Sequence, residues 1–194
     1  MTRVQRDAPE PALIAKAIRR DREAFGQLYT LYFDRLYRYA RLKLGNSVDA
    51  EDLTEAVFLS AWRTIDRFSP KGDTSFSAWL FRLAHNALVD RYRRGREHVS
   101  LDTVEHLSAE ENGGMNPEVI LEWRLTLSEL HRALLALTDE QREVVLLRFV
   151  EGLSAREVGD IMGKQEGTVR GMQFRAIEAL RRALSLVREE KAHG

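Results

Sequence analysis

The sequence contains no cysteine. Disulfides, thiolate metal ligands and a cysteine nucleophile are thereby excluded, and the composition suits a reducing cytoplasm. Proline is scarce, with 4 in 194 residues, so few positions forbid a helical hydrogen bond. No run alternates convincingly between apolar and polar residues, which removes the main signal of a half-buried strand. No apolar run approaches the roughly 20 residues of a membrane-spanning helix, so no membrane insertion is expected. The opening MetThrArgValGlnArgAsp has no signal-like apolar core. His85, His98, His106, His131 and His193 are not spaced as metal ligands. A HisGluXxxXxxHis sequence and a glycine-rich phosphate loop are both missing. Nothing here nominates a catalytic group, a metal site or a cofactor.

What is present is helical periodicity and an uneven charge. The totals balance at 30 Lys/Arg and 30 Asp/Glu. Residues 1–100 nevertheless hold 18 basic against 13 acidic side chains, 101–153 hold 4 against 11, and 154–194 hold 8 against 6. Two basic ends flank an acidic middle, a distribution compatible with nucleic acid at either end.

Residues 1–11, with Pro9 and Pro11, read as a loose lead-in to a short helix carrying Leu13, Ile14, Ala17 and Ile18. A longer helix is expected over 22–44, with Phe25, Leu28, Tyr29, Tyr32, Leu36, Tyr39 and Leu42 at steps of three and four. Its three tyrosines read as core residues with their hydroxyls at the rim. Gly45-Asn46-Ser47 breaks the chain, and Asp49 or Ser47 caps the next helix. That helix buries Leu53, Val57, Leu59 or Ala61, and Trp62. Phe58 falls off this stripe beside Asp52 and Glu55, which leaves a partner surface and an edge-of-core position both open.

Residues 68–75 form a loop. A fourth helix follows, with Phe76, Trp79, Leu80, Leu83, Ala87 and Leu88 inside and Arg82, His85, Asn86 and Asp90 outside. It ends in Arg91-Tyr92-Arg93-Arg94-Gly95-Arg96. Such a basic, aromatic end suits phosphates and unstacked bases, and is equally common as a solvated, dipole-compatible helix end. From Glu97 to Glu122 there are seven acids and no Lys or Arg, punctuated by Asn112-Gly113-Gly114 and Asn116-Pro117. This composition reads as a flexible linker.

The last part reads as three helices. Thr138 and Gln141 form one capping box, and Ser154 and Glu157 form a second. Val144, Val145, Leu146 and Leu147 suit a largely buried helix. Gly152 and Gly163 suit left-handed stops. The second helix buries Val158, Ile161 and Met162. The last carries Val169, Met172, Ala176, Ile177, Leu180 and Leu184 inward. Two helices joined by so short a turn fit a helix-turn-helix, whose second helix enters the major groove.

The expected fold is all-α. Two small helical domains, 1–96 and 125–194, are joined by the acidic linker 97–124, and the C-terminal one is the helix-turn-helix.

Three blocks in this order carry a specific resemblance: AspAlaGluAspLeuThrGluAlaValPheLeuSerAlaTrp at 49–62, SerPheSerAlaTrpLeuPheArgLeuAlaHisAsnAlaLeuValAsp at 75–90, and GluGlyThrValArgGlyMetGlnPheArgAlaIleGluAlaLeuArg at 166–181. With them the chain resembles an extracytoplasmic-function sigma factor, a small initiation subunit of bacterial RNA polymerase. The resemblance implies that Asp49, Asp52, Leu53, Glu55 and Phe58 dock on the clamp coiled coil of the largest core subunit. It implies that Phe68, Lys71, Ser75, Arg82, Asn86, Arg91, Arg93 and Arg94 read the opened minus-ten element, with a flipped base near Asn86. The linker would thread toward the active-site cleft. Gln165, Thr168, Arg170, Gly171, Phe174 and Arg175 would meet the minus-thirty-five duplex, Gln165 and Thr168 at phosphates. The partners implied are core RNA polymerase, promoter DNA and an anti-sigma factor, in the cytoplasm.

Three departures stand out. Gln165 replaces the usual capping Ser, Gly171-Met172 replaces a Ser-Arg pair, and Glu55-Ala56 replaces Gln-Glu. The rival reading is a dimeric helix-turn-helix regulator that binds duplex DNA without polymerase.

Overall fold

A computed structural model describes residues 9–69, 74–94 and 133–192, with side chains to Arg93 in the second segment and Ser185 in the third. The chain divides into two compact units, Met1–Leu101 and Asp102–Gly194. Every regular element among the described residues is helical. Lys71 and the 97–124 linker lie outside them.

The first unit begins with α1, Glu10–Ile18. It starts earlier than the expected lead-in allows, because Pro11 sits in the first turn, where a missing N–H costs nothing. Arg20 then adopts φ 67, an unusual conformation for a side chain with a Cβ. Its guanidinium reaches the far end of the third helix. It meets Asp66 at 2.9 Å, donates to the Arg63 carbonyl at 3.1 Å and to the Trp62 carbonyl, and lies 5.6 Å from the Trp62 ring centroid. These bonds satisfy carbonyls at a helix end and offset the strained turn.

Helix α2, Arg22–Leu44, has the expected bounds. Asp21 caps it by accepting the Glu23 and Ala24 N–H groups at 3.0 Å, and Gly45 closes it at φ 80. Leu28, Tyr32, Leu36 and Tyr39 are buried. The Tyr32 hydroxyl donates to Glu10 Oε1 at 2.6 Å. Tyr29 instead lies on the outer edge, exposed, with its ring 4.5 Å from that of Phe58.

Helix α3, Ser47–Thr64, is capped by neither Asp49 nor Ser47. Asn46 does this, accepting the Asp49 N–H at 2.7 Å, because its extended backbone places the side chain over the first turn. The helix is buried more broadly than one stripe predicts, through Ala50, Leu53, Thr54, Val57, Phe58 and Ala61. Phe58 is only 5% exposed, and Leu59 points outward. The α2 aromatics provide the reason. Phe25 covers Trp62 at 4.9 Å and Tyr29 covers Phe58, so α2 roofs a second side of α3.

A 3₁₀ turn, Ile65–Arg67, leads to α4, Phe76–Arg94. The buried positions on α4 are Phe76, Ala78, Leu80, Phe81, Ala84 and Leu88; Trp79, Leu83 and Ala87 are half-buried. The helix is rolled from the expected stripe because the Phe81 ring meets Tyr39 edge-on at 5.3 Å, anchoring that side against α2.

In the second unit, α5 spans Asp139–Val145 and runs into a π-helical turn, Leu146–Val150. Both expected capping boxes form, at Thr138/Gln141 and Ser154/Glu157. The Glu151 N–H donates to the Leu146 carbonyl and the Leu153 N–H to Leu147, both at 3.0 Å, with Gly152 at φ 70. The helix end is thus wider by one residue than an ordinary glycine stop, and Phe149 and Val150 are left exposed. Helix α6 is Ala155–Met162, and Gly163 ends it at φ 65. Helix α7 is Glu166–Ala192.

Candidate nucleic-acid interface

The placement of α7 depends on how closely its preceding turn packs on α6. The Lys164 N–H donates to the Gly159 carbonyl at 2.9 Å. The Lys164 carbonyl oxygen would lie 2.5 Å from a Cβ added at Gly159, so only hydrogen fits there. Lys164 Nζ also meets Glu140 Oε1 at 2.7 Å, tying the turn to the start of α5. Gln165 stands at the helix entry, its carbonyl accepting the Val169 N–H at 3.1 Å. Val169, Met172 and Ala176 are buried, while Met162, Ile177, Leu180 and Leu184 are half-buried. Arg148 clamps the helix flank by donating from Nε to Gln173 Oε1 at 3.0 Å and to the Leu153 carbonyl.

This fixes the opposite arc toward solvent. Gln165, Thr168, Arg170, Gly171, Phe174 and Arg175 are all exposed, and Phe174 is 65% exposed. The arc offers chemistry suited to a DNA groove: a planar guanidinium for a guanine edge, a ring for a thymine methyl, and helix-entry donors for phosphate. Arg170 already has a partner. Its Nε and Nη2 donate to the same Glu166 oxygen, at 3.0 and 2.6 Å.

The set expected at the minus-ten element is divided. Ser75 is a helix cap, its hydroxyl accepting the Ala78 N–H at 3.1 Å. Phe68 is 7% exposed, packed on Phe76 and Trp79 with ring centroids 5.6 and 5.2 Å away. It therefore packs the loop from inside, where an exposed reading position was expected. Arg82, Asn86 and Arg93 share one side of α4, since four and eleven residues return a helix close to the same direction. Asn86 and Arg93 are exposed. Arg82 is half-buried, and its Nε is enclosed with no hydrogen-bond partner among the described residues. Arg91 sits about 140° round the helix from Asn86. It turns to α3, where Nη2 pairs with Asp49. Only the backbone of Arg94 lies within the described residues.

The docking set on α3 is divided too. Asp52 and Glu55 are exposed, one turn apart. Leu53 and Phe58 are buried. Phe58 was expected off the core stripe, and its burial under Tyr29 corrects that placement. Asp49 is half-buried, and its carboxyl is held below the ordinary range first by the Asn46 amide, at 2.8 Å, and then by Arg91.

Sequence reasoning passed over Gly159, Glu166 and Arg20. Glu166 carried a readable signal, the i,i+4 spacing to Arg170. Gly159 and Arg20 did not, because their neighbours come from other elements. Among the described residues no group of three or more His, Asp or Glu is placed to hold a metal ion, and no helix is long and apolar enough to cross a membrane.

Two family models match the chain in order: Sigma-70 region 2 over residues 28–98, and Sigma-70, region 4 over residues 133–182. The ECF RNA polymerase sigma factor BldN of Streptomyces coelicolor is 38% identical over 172 residues, covering 89% of this chain and 64% of that relative's length. The ECF RNA polymerase sigma factor SigW of Bacillus subtilis is 31% identical over 173 residues, covering 84% of this chain and 90% of SigW. Among solved structures, CnrH in complex with the cytosolic domain of CnrY matches with a TM-score of 0.68 at 28% identity, covering 91% of this chain and 97% of that one.

Proposed function

The chain belongs to the extracytoplasmic-function sigma factors, and on that premise we propose that it joins core RNA polymerase, recognises a two-part promoter and helps open the minus-ten element. Its work is recognition rather than catalysis, and it takes place with the polymerase in the cytoplasm. The observation that carries this reading is the pairing, in one chain, of an acidic docking helix and polar α4 side with a fully exposed recognition arc on α7. A dimeric regulator of duplex DNA needs only the latter.

The first unit, residues 1–96 with the docking helix, handles core and the opened strand. Asp52 and Glu55 offer charge to the clamp, with Leu53 and Phe58 supporting the helix from beneath. On α4, Arg82, Asn86 and Arg93 face the unstacked bases and backbone, joined by Lys71 and Arg94. The α7 arc reads the minus-thirty-five duplex. The acidic 97–124 segment joins the two and would thread toward the active-site cleft of the polymerase. Two weak DNA contacts on one chain raise each other's effective concentration. An anti-sigma factor that covers either unit removes that gain; the similar sigma factor RpoE of Bartonella quintana is solved in complex with the anti-sigma factor NepR.

The test is transcription in vitro with purified core polymerase on a bacterial promoter library. Discrete starts that require both promoter elements are expected. Failure to join core, or duplex binding to palindromes without core, would sink the reading.

A further inference from the structure

We propose that Glu166 is a positioning residue that sets the base preference of Arg170. The inference rests on the promoter reading above and adds a specificity determinant to it.

Glu166 lies in the first turn of α7, the end that enters a groove. Both bonds from Arg170 go to one carboxylate oxygen, from Nε and Nη2. The guanidinium is a rigid planar fork, so gripping that side turns its other end, Nη1 and the outer Nη2 hydrogen, away from the helix. That end matches the O6 and N7 acceptors of guanine. Arg170 is itself exposed, so that end faces solvent. An exposed pair one turn apart adds little to stability in water.

Its effect appears when the groove excludes water. A carboxylate among phosphates is repelled unless its arginine stays with it. A guanine lets Arg170 keep Glu166 and gain the base. Any base pair or phosphate that draws Arg170 away leaves Glu166 unpaired beside the DNA. Glu166 therefore penalises wrong sequences more than it strengthens the right one.

The experiment uses the full chain with core polymerase, and duplexes carrying each base pair at every minus-thirty-five position. Glu166→Gln is expected to lower guanine preference at the Arg170 position by about fivefold. The same variant should raise affinity for unrelated duplex at equal salt, since a charge facing phosphates is gone. In an Arg170→Ala background it should change no base preference. Glu166→Asp keeps the charge, so it should show no gain on unrelated DNA. Unchanged preference in Glu166→Gln, or an equal change with and without Arg170, overturns the role. So does a preference lost at a separate cytosine, which would make Glu166 a direct reader. A wild-type holoenzyme with no minus-thirty-five preference would defeat the promoter reading itself, and the Glu166 role with it.

Discussion

On α7, six residues nominated for DNA share one exposed arc, whereas around α3 and α4 the nominated residues are divided among core, cap, ion pair and exposed surface. Among the described residues the α7 arc holds no other element in place. Val169, Met172 and Ala176 fix the helix from the other side, so its outer residues can change without touching the fold. Around α3 and α4 several of the residues nominated for recognition hold the fold instead. Ser75 starts α4, Phe68 packs its loop, Phe58 fills the roof under α2, and Asp49 holds Arg91. On the proposed roles, binding specificity would be modular in the second unit and tied to folding in the first.

The sharpest way to break this contrast is Phe58→Ala. Removing a buried ring costs about 3–5 kcal/mol, so the first unit should melt early while the second keeps its transition. Equal core affinity and an unchanged melting curve would return Phe58 to the surface. Gly159→Ala probes the other side. The added methyl meets the Lys164 carbonyl at 2.5 Å, and overpacking of this kind costs about 1–3 kcal/mol. Minus-thirty-five dependence should fall in transcription assays with core binding intact. A wild-type response there would mean that the turn tolerates a looser approach.

A third substitution separates docking from folding. Asp52→Ala with Glu55→Ala changes two exposed charges only. Core affinity should drop by about tenfold, measured by competition binding, with circular dichroism unaltered. A fold defect would show that these acids are structural. The smallest effect concerns Asp49. Its folded pKa lies below the ordinary 3.8, so it adds stability above that value, and the contribution is lost as pH falls through the folded pKa. The pair is partly exposed, which limits its share to below about 1 kcal/mol. Asp49→Asn should flatten the acid limb of the first unit's stability curve. An identical limb would show that Asn46 and Arg91 do not depend on the charge.

Legibility followed the range of the interaction. The α2 bounds, both capping boxes and the Gly152 and Gly163 stops were readable because each is made within a few residues. The whole α7 arc was readable for the same reason, since a 3.6-residue period assigns inside and outside together. The Asn46 cap was missed by one to three positions because Ser and Asp nearby are equally good caps. The roll of α4 was missed because Phe81 and Trp79 are both large and apolar, and only Tyr39 chooses between them.

The sequence by itself determined two helical units, the helix-turn-helix, and the exposed outer face of α7. These rest on local hydrogen bonds and helical period. Tertiary structure alone decided that Phe58 is covered, that Phe68 is core, that Arg91 pairs with Asp49, and that Gly159 must lack a side chain. Each of those depends on an atom brought near by another element, and helical period carries no information about which neighbour that element will supply.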